Sequence, residues 1–191
     1  MIEFVENGHL YLYNGVIIPS VSQILSETKF KDKYKGVPIW ILENKAEYGT
    51  RIHLLIELYE KKEIYSLKNV YEELSLNQYV RLKEQYSIKV LEQEKIVCYK
   101  GLYAGRFDMI AEVNGITSLI DVKTTSRLDK DYISWQLSLY ELASGKKFKK
   151  FYCLWLPKGG IAKLVEIEKV KEKDLKEFIE TEVKGKWQNT K

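Results

Sequence analysis

The chain has 191 residues, enough for one domain with a real core, and its 45% hydrophobic and 30% charged residues exclude a disordered chain. A formal charge of +4 permits a nucleic-acid partner without demanding one. No apolar run approaches the roughly 20 residues that span a bilayer, and acids and a glycine stand where a signal peptide would be apolar. The expectation is a soluble cytoplasmic protein with no membrane partner. Cys98 and Cys153 form no CxxC pair and lie in apolar, strand-like runs, so free buried thiols are expected.

In chain order, the run from Gly8 to Ile18 reads as a hairpin around Asn14-Gly15, a favoured two-residue turn. Ser20 can cap a helix, with Gln23 three residues later completing a capping box. Residues 38–47 look helical. Tyr48-Gly49-Thr50 breaks that run, and Thr50 caps a new helix from Arg51 to about Lys62. A longer helix covers 69–90. From Lys95 to Asp121 the chain turns rich in Ile, Val, Tyr and Phe, with Asn114-Gly115 between two apolar runs, which reads as antiparallel strands and a tight turn. Asp129 or Asp131 starts a helix that runs to Ala143 and stops at Gly145. Strands at 151–156 and 161–167 and a Lys/Glu-rich helix at about 171–184 follow. The order predicts an α/β or α+β chain with one mixed central sheet flanked by helices.

The informative segment runs from Gly105-Arg106-Phe107-Asp108 to Asp121-Val122-Lys123. The pattern acid-x-Lys is weak alone, because Asp174-Leu-Lys176, Glu43-Asn-Lys45, Glu60-Lys-Lys62 and Glu182-Val-Lys184 share it. Those four fall in helix-like segments, where i and i+2 diverge; Asp121 and Lys123 end a strand, where i and i+2 share a face. Asp108, across the Asn114-Gly115 turn, brings a second carboxylate from the neighbouring strand. Two such carboxylates suit a hard divalent cation, which activates water and stabilises charge on a phosphate in flight. Lys123 would orient the water or neutralise the oxyanion. Gly105 would leave room for a substrate backbone. Thr124, Thr125 and Ser126 supply hydroxyls suited to phosphate, and Arg127 and Lys130 add positive charge. The competing reading of these charges is a plain salt bridge.

Gly105-x-x-Asp108, Asp121-Val122-Lys123-Thr124, Gln136-Leu-Ser-Leu-Tyr140 and the earlier block from Gly49 through His53 to Glu57 together resemble the PD-(D/E)XK nuclease superfamily, in its RecB-like, phage-exonuclease-like branch. The resemblance spans about residues 49–140. It implies a restriction-endonuclease-like core at about 49–168, within a single domain over 1–191 that carries the N-terminal hairpin and helix as an extension. It implies Asp108, Asp121, His53 and the Val122 main-chain carbonyl as metal ligands, with Lys123 as the catalytic lysine. Gln136 and Tyr140 would contact substrate or support the centre, and Glu94 would match an acidic residue where the strand begins. The metal would be Mg²⁺ or Mn²⁺. Glu57, four residues after His53 on the same helix face, would orient its ring. Phe107 replaces the proline that names the superfamily. The four-cysteine signature of some members is missing, so no iron–sulfur cluster is expected. The implied partner is DNA, single- or double-stranded, with room for a recombination or annealing protein. The implied activity is hydrolysis of DNA phosphodiester bonds, by an exonuclease in preference to an endonuclease. A catalytically idle DNA-binding module and an unrelated α+β protein are the rivals.

Other notable side chains carry structural readings. Trp135, Leu139 and Leu142 are expected in the core, as are Tyr99, Tyr103 and Trp155 in preference to base stacking. Tyr132 extends the Gln136/Tyr140 stripe. The lysine run 146–150 and the C-terminal helix read as solvated.

Overall fold

The computed structural model describes residues 1–187. Three short strands open the chain: β1 (Ile2–Val5), β2 (Leu10–Tyr13) and β3 (Val16–Ile18), an antiparallel meander. The Asn14-Gly15 turn joins β2 to β3, with Tyr13 paired to Val16. The strand β1 was not read from the sequence. Next comes α1 (Val21–Glu27), whose first turn is capped by the Ser20 hydroxyl accepting from the Gln23 amide at 3.0 Å. The capping box is only half made: the Gln23 side chain donates to Glu27 rather than turning back to Ser20.

The break expected at Gly49 is absent. One continuous helix, α2 (Ile39–Lys61), runs straight through it. Glycine costs helix propensity, but here it serves packing: a Cβ at Gly49 would sit 3.3 Å from Thr124 Oγ1. The bare backbone lets α2 lie close to the loop that follows Lys123. Then α3 (Val70–Gln85), capped by Asn69, ends five residues short of the expectation, because Ser87 turns left-handed (φ 46°). A strand follows at once.

The main sheet holds β4 (Lys89–Tyr99), β5 (Tyr103–Val113), β6 (Ile116–Lys123), β7 (Lys150–Trp155) and β8 (Lys163–Ile167) in that spatial order. Thus β4 starts at Lys89 rather than near Lys95. The β5–β6 turn is Asn114-Gly115, both with positive φ (47° and 78°), as a tight hairpin requires. Only β6 and β7 pair in parallel, joined by the crossover helix α4 (Lys130–Ser144), with Asp129 capping its start and left-handed Gly145 its end. The sheet is mixed and flanked by helices, as the element order predicted.

Two cores lie on opposite faces of this sheet. Residues of α1 and α4 pack with Phe107, Leu119, Phe151 and Cys153 on one side. Ile52, Leu55 and Ile56 of α2 pack with Leu76, Tyr79 and Leu82 of α3, Ile120 and Val122 on the other. The closing helix is not simply solvated: α5 (Glu172–Phe178) and the wider-wound stretch after it bury Leu175, Phe178, Ile179 and Val183 against the first core. The two cysteines are free thiols, Cys153 buried and Cys98 half-buried. No helix among the described residues is long and apolar enough to cross a membrane.

Candidate active site

The β5–β6 ladder ends at the Met109–Ile120 pair. One step further, the strands part and side chains take over the bonding. Asp108 Oδ2 accepts the Val122 N–H at 2.6 Å, so a carboxylate replaces the carbonyl that the ladder would have supplied. Asp121 and Lys123 share one face of β6, and Lys123 Nζ donates to Asp121 Oδ1 at 2.7 Å. The other oxygen, Asp121 Oδ2, is buried with no hydrogen-bond partner among the described residues. None of the four acid-x-Lys look-alikes makes this contact. Lys176 pairs with Glu172, Lys184 with Glu180, and Glu60 with Lys83.

The neighbouring strand β4 is distorted at the same level. Gln93 pairs with Met109 and Lys95 with Phe107, yet Glu94, which should face Asp108, drops out of the ladder with φ 48°. A left-handed non-glycine residue inside a strand costs free energy and needs a compensating cause. Alternation in β5 breaks here too: Phe107 joins one core and Met109, two residues on, joins the other. The effect is to turn Glu94 toward Asp108. From the α2 side, His53 reaches the same point. Its Nε2 lies 3.1 Å from the Val122 carbonyl oxygen and its Nδ1 3.4 Å from Asp108 Oδ1 and 4.0 Å from Glu94 Oε1. One donor atom each from His53, Glu94 and Asp108 falls within 4.8 Å of the others.

Burial and close charges set the ionisation. Burial alone would lower the His53 imidazolium, but the Asp108 carboxylate outweighs it and lifts His53 to about 9. Asp108 is opposed by burial yet held below the usual range, chiefly by His53. Asp121 is pushed up to about 6 by burial, against the pull of Lys123. Glu94 rises to about 7 through burial and repulsion from Asp108, partly offset by Arg106, whose Nε sits 2.8 Å away. Burial disfavours the Lys123 ammonium, but Asp121 and Asp108 more than compensate.

Other candidates are placed less centrally. Glu57 bonds Lys61 at 2.6 Å rather than orienting His53; Asp108 and the Val122 carbonyl hold that ring. Gln136 and Tyr140 are both buried and bonded to each other, Gln136 Nε2 donating to the Tyr140 hydroxyl at 3.2 Å. The Tyr140 ring fills the space beside Gly105, where a Cβ would meet its Cε1 at 2.5 Å. Gly105 therefore admits an aromatic ring of this chain, not a substrate backbone. The Thr125 hydroxyl is spent on the Arg127 carbonyl at 2.7 Å. Arg127 lines a neighbouring groove rather than the cavity of His53 and Asp108.

That cavity has a volume of about 690 Å³ and is walled by His53, Glu57, Glu94, Asp108, Lys123, Thr124 and Tyr140. Sequence reasoning missed its far wall, made by Glu6, His9, Tyr11, Ser20 and Ser22. The N-terminal meander reaches the site because the Pro19 carbonyl accepts the Ala104 N–H at 3.0 Å, docking the extension onto β5. No local pattern in residues 1–22 announces that contact. Arg106 also had a signal, its place two residues before Asp108, but no role was assigned to it.

Oxygen donors with one imidazole, and a buried carboxylate oxygen left without a partner, suit a hard or borderline divalent cation. The residues present therefore fit a metal. No family model matches the chain, and no curated protein matches it. Among solved structures, the chain is similar to an alkaline exonuclease, LHK-Exo, from Laribacter hongkongensis (16% identity, TM-score 0.47, 88% of this chain and 84% of that one). It is similar also to LHK-Exo in complex with dAMP (16%, 0.45, 88% and 85%) and to the protein SSO0001 (17%, 0.43, 88% and 76%).

Proposed function

We propose that this protein is a metal-dependent nuclease that hydrolyses DNA phosphodiester bonds. The observation that carries the reading is the convergence of His53, Glu94 and Asp108 around one point, with the Val122 carbonyl against the other nitrogen of His53 and the Asp121–Lys123 pair on the adjoining strand end. A solvated salt bridge needs none of the first four. The distorted backbone at Glu94 also has no use in a plain ion pair.

His53, Asp108, Glu94 and the Val122 carbonyl would hold the cation, with Asp121 beside them. A bound Mg²⁺ or Mn²⁺ would supply an activated water and neutralise charge on the phosphate. Lys123 is anchored by Asp121 but still lines the cavity, so its ammonium can meet a non-bridging phosphate oxygen. Asp121 fixes that ammonium in place. Tyr140 forms the back wall, steadied by the buried Gln136 bonded to its hydroxyl, and limits how deep a substrate can sit. The preference for exonuclease over endonuclease comes from the sequence resemblance.

The test uses end-labelled single- and double-stranded DNA with Mg²⁺, Mn²⁺ or chelator. Cleavage that needs metal and disappears in Lys123→Ala is expected. Cleavage undiminished in that variant, or no cleavage of any substrate, would overturn the reading. A circular substrate separates the two activities, since an exonuclease leaves it intact.

A further inference from the structure

A second cavity, of about 550 Å³, meets the first at Lys123 and Thr125, which line both. Its character is opposite. Five cationic side chains (Lys33, Lys45, Lys123, Arg127 and Lys130) face a single carboxylate, Asp129. That carboxylate is already taken, 2.8 Å from Lys33 Nζ and accepting the Tyr132 N–H at 3.0 Å. Lys45, Arg127 and Lys130 have no ion-pair partner among the described residues. Like charges gathered without counter-charges repel one another, and a polyanion relieves that repulsion.

The floor between these charges is apolar. Tyr34 and Tyr132 present rings, with Leu42 and Ile133 beside them. Tyr34 is half exposed, and its hydroxyl makes no hydrogen bond among the described residues. Lys33 lies 3.6 Å from the centre of the Tyr132 ring and 5.8 Å from that of Tyr34, so its charge sits beside both rings. Phosphates need only the cations. Rings and aliphatic chains within the same groove need something flat and apolar, which a duplex keeps inside its own stack and an unpaired strand offers.

We infer that this groove binds an unpaired nucleotide next to the bond to be cut, with its base on the Tyr34 side and its phosphates on Lys45 and Lys130. The inference rests on the nuclease reading only for the words "bond to be cut"; the groove's chemistry is independent of it. The groove selects single-stranded substrate, or a duplex end that has opened, and feeds the strand past Lys123.

The test is binding without turnover. Fluorescence anisotropy of a labelled oligo-dT of about 12 nucleotides is followed in chelator across a salt series, beside a hairpin duplex and poly-glutamate. Tyr34→Ala is expected to weaken single-strand binding about tenfold and leave the salt slope alone. Lys45→Ala and Lys130→Ala are each expected to lower that slope by about 0.7. All three side chains are exposed, and circular dichroism verifies that the variants fold. Unchanged oligo-dT affinity in Tyr34→Ala, or slopes unchanged in both lysine variants, overturns the groove. Duplex or poly-glutamate bound as tightly as oligo-dT overturns the unpaired-nucleotide assignment. Groove-dependent binding by a wild-type protein that cleaves nothing with either metal supports the groove and sinks the nuclease reading. Cleavage with groove-independent binding does the reverse.

Discussion

Two adjoining cavities share Lys123 and differ in nearly everything else. The first gathers the acids, Glu6, Glu57, Glu94 and Asp108, against Arg106, Lys123 and the raised imidazole of His53. The second is basic, with one neutralised carboxylate. An acidic cavity repels a phosphate until a cation is present, whereas a basic groove attracts one directly. The difference teaches that metal and strand need not compete for the same groups. On the proposed reading one wall would collect the cation and the other the polyanion, with the lysine between them lining both.

Variants of Lys123 should therefore damage the most. Lys123→Ala is expected to cut the cleavage rate by about 10²–10³-fold, as for loss of a preorganised charge donor. It also strands a buried Asp121, which costs about 3–5 kcal/mol when one partner of a buried pair is removed. The pair Asp121→Asn/Lys123→Met should regain most of the melting temperature and none of the cleavage. If the activity also returned, the pair would be structural only.

His53→Ala should strike the acidic cavity alone. Outer supporting groups already change metal affinity by 10–100-fold, so loss of a direct ligand should weaken Mn²⁺ binding by about 100-fold. Calorimetric titration measures it, and metal-free oligo-dT affinity should not move. A parallel fall in both would erase the division between the two cavities.

Gly105→Ala tests the back wall. A Cβ there meets the Tyr140 ring at 2.5 Å, and overpacking of this kind costs about 1–3 kcal/mol. Thermal melting reads the loss. A neutral result would mean that the ring shifts freely, and the wall would not limit substrate depth. The smallest effect is expected at the look-alike Asp174-Leu-Lys176. Lys176 is an exposed partner of Glu172, so Lys176→Ala should change neither cleavage nor melting.

Much of this was legible in the chain itself. The Asn14-Gly15 and Asn114-Gly115 turns, the Ser20, Asp129 and Gly145 caps and the order of strands and helices follow from local rules, because turn and cap chemistry acts within a few residues. The closeness of Asp121 to Lys123 was legible for the same reason, a strand's period of two. Where the reading went astray, tertiary packing had overruled a local preference. Gly49 looks like a helix break, yet it stays helical because α2 lies close to Thr124 there. Gly105 looks like room for a ligand, and Tyr140 occupies it.

What the sequence determined by itself was therefore the set of chemical groups and the elements that carry them: two carboxylates and a lysine on adjoining strands, a histidine on a helix, and a mixed sheet. The tertiary structure decided which of them meet. It turned Glu94 out of its ladder toward Asp108, brought His53 to the Val122 carbonyl from a helix far away in sequence, and folded residues 6–22 over the cavity. It also set Tyr34 and Lys45 beside Lys130. The reason is one of range. Local rules act over a few residues, but a cation site or a nucleic-acid groove is built from segments whose meeting depends on how two cores pack on opposite faces of one sheet.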